Sequence, residues 1–176
     1  MATDPAPDPA VSEPAFLERL RRSGIRVNRE GEFIHEGEPV LHHGLRSALF
    51  RWLDRLDDGR YVLRLDAQRF AYLDVEDTPL VARAARLAGD GDAEGEAGTI
   101  LLQLSDGSEE ALDPDTLTID DQGLLRCWVR GRRLEARLAT SAAAVLADRI
   151  TQTAAGPALS AGGRLRPLAP RSGSPP

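Results

Sequence analysis

The stretch IRVNREGEFIHEGEPV, residues 25–40, decides the fold. Ile25 and Val27 alternate with polar neighbours, Glu30-Gly31 supplies a turn, and Phe33 opens a return strand, which together predict a β-hairpin. Directly after it, Leu41, Leu45, Ala48, Leu49, Trp52, Leu53 and Leu56 recur at the helical period, and Asp57-Asp58-Gly59 closes the run. A second hairpin and helix are read near the C-terminal end, where LTIDDQGLLRCWVRGRRLEARLATSAAAVLADRI (117–150) gives strand, turn, strand and helix. The apolar stripe of that last helix is Leu134, Leu138, Ala142, Val145, Leu146 and Ile150.

The two segments correspond position by position. Ile25 and Val27 match Leu117 and Ile119, Gly31 matches Gly123, and Phe33 matches Leu125. Gly37 then matches Gly131, and Val40, Trp52 and Leu56 match Leu134, Leu146 and Ile150. The predicted architecture is therefore α+β: a mostly antiparallel sheet with two β-β-α repeats, about 25–56 and 117–150, and helices packed on it. Between the repeats lie strand candidates Tyr61–Leu65, Phe70–Val75 and Leu80–Leu87, then a hairpin of Thr99–Leu104 and Glu109–Leu112. Upstream, Ser12 can cap a short helix carrying Phe16, Leu17 and Leu20, with Gly24 as its stop.

Proline marks the expected limits of the fold. Of 12 prolines, only Pro39, Pro79 and Pro114 lie between Ala15 and Ile150. Residues 1–11 and 153–176 are thus expected as disordered tails around a folded region of 12–152, because they carry too little apolar area to offset ordering entropy.

Composition narrows the function classes. A net charge of −6 argues against a nucleic-acid binder. All 22 basic residues are arginine, so every cation can fork onto a carboxylate or phosphate. The lone Cys127 excludes an internal disulfide and a thiolate metal cluster. Neither a signal peptide nor an apolar run long enough to span a membrane is present, and the plain expectation is a cytoplasmic protein.

Four segments, in order, resemble a bacterial family called domain of unknown function 1285. They are Gly31–Val40, Asp58–Leu63, Val75–Ala82, and Val129–Gly131 with Leu134–Leu138, so the resemblance covers roughly residues 25–150. It implies a fold of two repeated α/β motifs and a suggested role in signal transduction, with no established activity. Where relatives tend to carry threonine-proline-valine-glutamate, this chain has Leu65-Asp66-Ala67-Gln68-Arg69, and where they place tyrosines in the last helix it has Ser141, Ala142 and Ala143. Those departures leave open a different ligand, or none.

The candidate site residues are few. Glu76 and Asp77 are adjacent carboxylates, but neighbours on a strand point to opposite faces, which is poor geometry for an acid–base pair. They read first as a strand end before Pro79. His35, His42 and His43 lack a converging fourth ligand, so no metal and no cofactor are expected. Asp90-Gly91-Asp92-Ala93-Glu94-Gly95 imitates the start of a calcium loop, yet its twelfth position is Leu101 instead of glutamate. Cys127 and Trp128 alternate on one strand, so one of them is expected to face the core. Arg126, Arg130, Arg132, Arg133 and Arg137 crowd around an expected helix N-terminus, the best chemical lead for an anion.

These readings converge on a non-enzymatic regulatory or signalling-associated module that binds a protein partner or small anion. Its candidate ligand residues are Arg130, Arg132, Arg133, Glu76, Asp77 and His35. The alternative is a small hydrolase or transferase with a cleft around His35, Glu76 and Asp77. A third reading is self-association through the alanine-rich last helix.

Overall fold

The computed structural model describes residues 21–89 and 98–171. The Ser12 helix, the calcium-like loop and the tail of residues 1–11 lie outside the described residues. Two helices and sixteen short strands are described, in the order β1 (Arg22–Val27), β2 (Phe33–His35), β3 (Glu38–Pro39), α1 (His43–Trp52), β4 (Leu53–Arg55), β5 (Tyr61–Arg64) and β6 (Phe70–Val75). Next come β7 (Leu80–Leu87), β8 (Ile100–Leu104) and β9 (Glu109–Ala111), a 3₁₀ turn (Pro114–Thr116), β10 (Thr118–Ile119), β11 (Leu125–Val129) and β12 (Leu134–Leu138). The chain then runs through α2 (Thr140–Ala147), β13 (Ile150–Thr153), β14 (Gly156–Ala161), β15 (Arg164–Pro167) and β16 (Ala169–Pro170). No helix among the described residues is long and apolar enough to cross a membrane.

The architecture is α+β with mixed sheets. A six-stranded sheet has the order β3-β2-β1-β6-β5-β4, and a seven-stranded one runs β16-β10-β11-β12-β7-β8-β9. β13, β14 and β15 form a third. Three pairings are parallel: β1 with β6, β10 with β16, and β7 with β12.

Several expectations need correction. Arg22, Ser23 and Gly24 belong to β1, so Gly24 lies inside a strand and stops no helix. Three strands, β1 to β3, precede α1 and three, β4 to β6, separate it from β7, whereas β10 to β12 lead into α2 and four strands, β13 to β16, follow it. The first helix begins after Leu41, because His42 caps it: its Nδ1 accepts from the Leu45 amide at 3.2 Å. Leu53 has left the helix for β4, where it pairs with Leu63.

Leu134 and Leu138 are on a strand instead of a helix. β12 is wedged between β11 and β7 and is buried almost throughout, so pairing on both edges overrides the helix-forming sequence LEARL. β11 is also buried on both faces, so the core takes Cys127 and Trp128 alike.

The tail expected to be disordered from residue 153 is ordered as β14 to β16, up to Pro170. Ala158, Leu159 and Leu168 are buried there, and Gly162-Gly163, both at positive φ (55° and 70°), make the β14–β15 turn. The prolines that suggested disorder occupy strand ends: Pro157 opposes Gln152, and Pro167 opposes Ala158.

Candidate functional site: an arginine-clasped joint and the cleft beside it

The two sheets meet at Glu76-Asp77-Thr78-Pro79, between β6 and β7. β6 lies beside β1 in one sheet, and the next strand in sequence, β7, lies beside β12 in the other. Glu76 caps the first sheet: its amide donates to the Val27 carbonyl and its carboxylate pairs with Arg26 at 2.5 Å. Asp77 points the other way, onto the Arg126 guanidinium at 2.9 Å and toward Arg137 Nε at 3.2 Å. Thr78 is only 1% exposed; its hydroxyl donates to the Leu80 carbonyl and accepts from the Arg137 amide. The two carboxylates thus serve opposite neighbours, as the period of a strand requires.

His35 does not join them. It is exposed on β2, where its backbone pairs with β1 and β3, and its ring has no hydrogen-bond partner among the described residues. The described residues also hold no group of three or more His, Cys, Asp or Glu able to bind a metal ion.

The five arginines of 126–137 lie on β11, β12 and the turn between them, not at a helix N-terminus. That turn carries three consecutive left-handed residues, Arg130, Gly131 and Arg132 (φ 50°, 62° and 66°), two of them without glycine's freedom. Each arginine has a partner. Arg126 also takes Asp120 at 2.5 Å, and Arg130 pairs with Asp106 while donating to the Phe50 carbonyl at the end of α1. Arg132 meets Asp113 at 2.7 Å, Arg133 meets Asp54 at 2.6 Å and the Arg55 carbonyl, and Arg137 donates to the Arg29 carbonyl. Three of these arginines therefore bind backbone carbonyls of the first half of the chain, and the cluster is a clasp. The bound carboxylates register it. Burial works against the Asp54 charge, but hydrogen bonds from Arg133, the Arg55 amide and Arg64 win and hold its carboxyl below the usual value. The same balance, with Ser108 and Arg130 as donors, lowers Asp106.

Two clefts are lined by clasp arginines or by the residue they hold, Phe50. A shallow one of about 370 Å³ brings Arg132 and Arg133 together with Arg55, but Asp57 and Asp58 share its wall. The other, about 220 Å³, opens between the β1–β2 turn, the segment entering α1, and β7. Its apolar wall is Phe33, Pro39, Val40, Leu41 and Phe50. Phe33 and Phe50 stack edge to face with centroids 4.8 Å apart.

Gly31 shapes that cleft's inner end. It sits at φ 76°, and a Cβ there would come within 2.9 Å of a Val81 methyl, so only glycine allows the turn to lie on β7. Ser105 locks the same spot by accepting from the Val81 amide at 3.2 Å. Arg46 from α1 and Arg83 from β7 complete the wall. Both are exposed, and neither guanidinium has a hydrogen-bond or ion-pair partner among the described residues. Among the described residues the one carboxylate on the wall, Glu32, accepts from the Asn28 side-chain amide at 3.1 Å.

Sequence reasoning missed Arg46 and Arg83. An arginine on the solvent side of an amphipathic helix and another between alanines on a strand carry no local signal. Only the neighbouring Gly31–Val40 motif pointed to this place.

No protein-family model matches the chain, and none of the curated proteins does. Two crystal structures resemble it. A DUF1285 family protein from Silicibacter pomeroyi DSS-3 superposes with a TM-score of 0.67 at 20% identity, over 85% of this chain and 81% of that one. A DUF1285 family protein from Shewanella baltica OS155 gives 0.52 at 19% identity, over 66% and 84%. This chain therefore has the fold of DUF1285 family proteins.

Proposed function

We propose that the chain is a member of that family and a non-enzymatic binding module whose site is the 220 Å³ cleft at Gly31, Arg46 and Arg83. One observation carries this reading. The arginines of 126–137 are consumed by internal carboxylates and carbonyls, whereas Arg46 and Arg83 present cations at a cleft mouth with no partner among the described residues. Unpaired guanidinium forks are suited to an incoming carboxylate or phosphate. The ligand is an anionic group, borne by a small molecule or by a protein partner in the cytoplasm.

Catalysis has little support. Ser105 is the only hydroxyl on the cleft wall among the described residues, and it is held by the Val81 amide with no base beside it there. Glu76 and Asp77 serve separate neighbours and His35 joins neither, which weakens the hydrolase or transferase alternative.

The architecture reads as two copies of one unit. In each, three strands precede the helix, three follow it in the first and four in the second, and the first strand runs parallel to the last, β1 with β6 and β10 with β16.

A thermal-shift screen of carboxylates and phosphorylated metabolites tests the binding reading. A ligand at 100 times its Kd adds about 2.7 kcal/mol of stability, a visible rise in melting temperature. The rise should vanish in Arg46→Glu/Arg83→Glu, and a hit that persists in that variant sinks the assignment.

A further inference from the structure

The cleft's dimensions and lining narrow the chemistry of what it takes, on the reading just given. At about 220 Å³ it falls below the ~300–1,000 Å³ typical of sites for drug-sized molecules and cofactors. The nearly buried rings of Phe33 and Phe50, with Pro39, Val40 and Leu41, give it an apolar wall beside a polar remainder, and its cations, Arg46 and Arg83, are exposed. A doubly charged group against that apolar wall would lose hydration without gaining a polar partner. Glu32, on the same wall, would repel a dianion more strongly than a monoanion.

We propose that the cleft binds an aliphatic carboxylate of about six to eight heavy atoms, with its charge between Arg46 and Arg83 and its tail against Phe33 and Phe50. The same chemistry is offered by a free short-chain acid and by the C-terminal aliphatic residue of a peptide.

The experiment is an amide NMR titration of the full chain with five probes: hexanoate, 1-hexanol, inorganic phosphate, and a pentapeptide ending in leucine with its C-terminus free or amidated. Hexanoate or the free-acid peptide should shift the Gly31, Val40, Arg46 and Arg83 amides. Hexanol, phosphate and the amidated peptide should each bind at least tenfold more weakly, and Arg46→Ala/Arg83→Ala should abolish the shifts. Tighter binding of hexanoate would assign a free acid, and tighter binding of the free-acid peptide a protein C-terminus. If phosphate binds as well as hexanoate, the aliphatic assignment is overturned while the anion site stands. If no probe moves these amides, or the double variant still binds, both readings fall.

Discussion

At the scale of single residues, Asp77 shows how one carboxylate can resemble a catalytic group and serve as a rivet. It faces Arg126, whose residue is 5% exposed, and Arg137 from the next strand. Removing it leaves a buried guanidinium with Asp120 as its remaining carboxylate. Asp77→Ala is expected to cost about 3 kcal/mol in urea unfolding, the order found when one partner of a buried pair is lost. Glu76→Ala, which frees only the half-exposed Arg26, should cost under about 1 kcal/mol. Equal costs would contradict the division of labour between the two. The sequence foretold that division through the two-residue period of a strand. It could not foretell the arginine partners, which lie 49 and 60 positions downstream of Asp77. For the same reason the cluster 126–137 reads as an anion site in sequence and as a clasp in space: Asp54, Asp106 and Asp113 reach it only through folding.

At the scale of elements, legibility followed local periodicity. The β1–β2 hairpin, the middle of α1 and the β8–β9 hairpin had clean patterns and matched. β12 had none, because a strand paired on both edges and buried on nearly every residue shows no alternation. Leu134, Leu138 and Ala142 therefore merged into the stripe of the following helix. The β13–β15 sheet was hidden by proline content, although Gly162-Gly163 between two apolar-containing segments is itself a hairpin signal. Leu159 on β14 is fully buried in the main core. Leu159→Ala should cost about 2–5 kcal/mol by chemical denaturation. A cost near zero would mean that this sheet is peripheral to the fold, as the sequence suggested.

At the scale of the whole molecule, charge pairs bind the first half of the chain to the second, and that has a pH signature. The Asp54 carboxyl, held by Arg133 across the joint, titrates below its ordinary value of 3.8 in the folded state. A depressed folded value means that the stabilisation is fully present above pH 3.8 and is lost as pH falls through the lower folded value. Melting temperature should thus fall more steeply below pH 4 for the wild type than for Asp54→Asn, whose clasp is already weakened at neutral pH. Parallel curves would remove Asp54 from the account. The same clasp argues for the proposed ligand site at Arg46 and Arg83: cations committed to holding two halves together are poor candidates for a ligand. The most direct test compares two charge reversals by calorimetric titration with the strongest anion from the thermal-shift screen. Binding should be lost in Arg46→Glu/Arg83→Glu and stay within about twofold of wild type in Arg132→Glu/Arg133→Glu, whose exposed pairs contribute roughly 0–1 kcal/mol each to the fold. Loss of binding in the second variant with retention in the first would move the site to the β11–β12 turn and contradict the account.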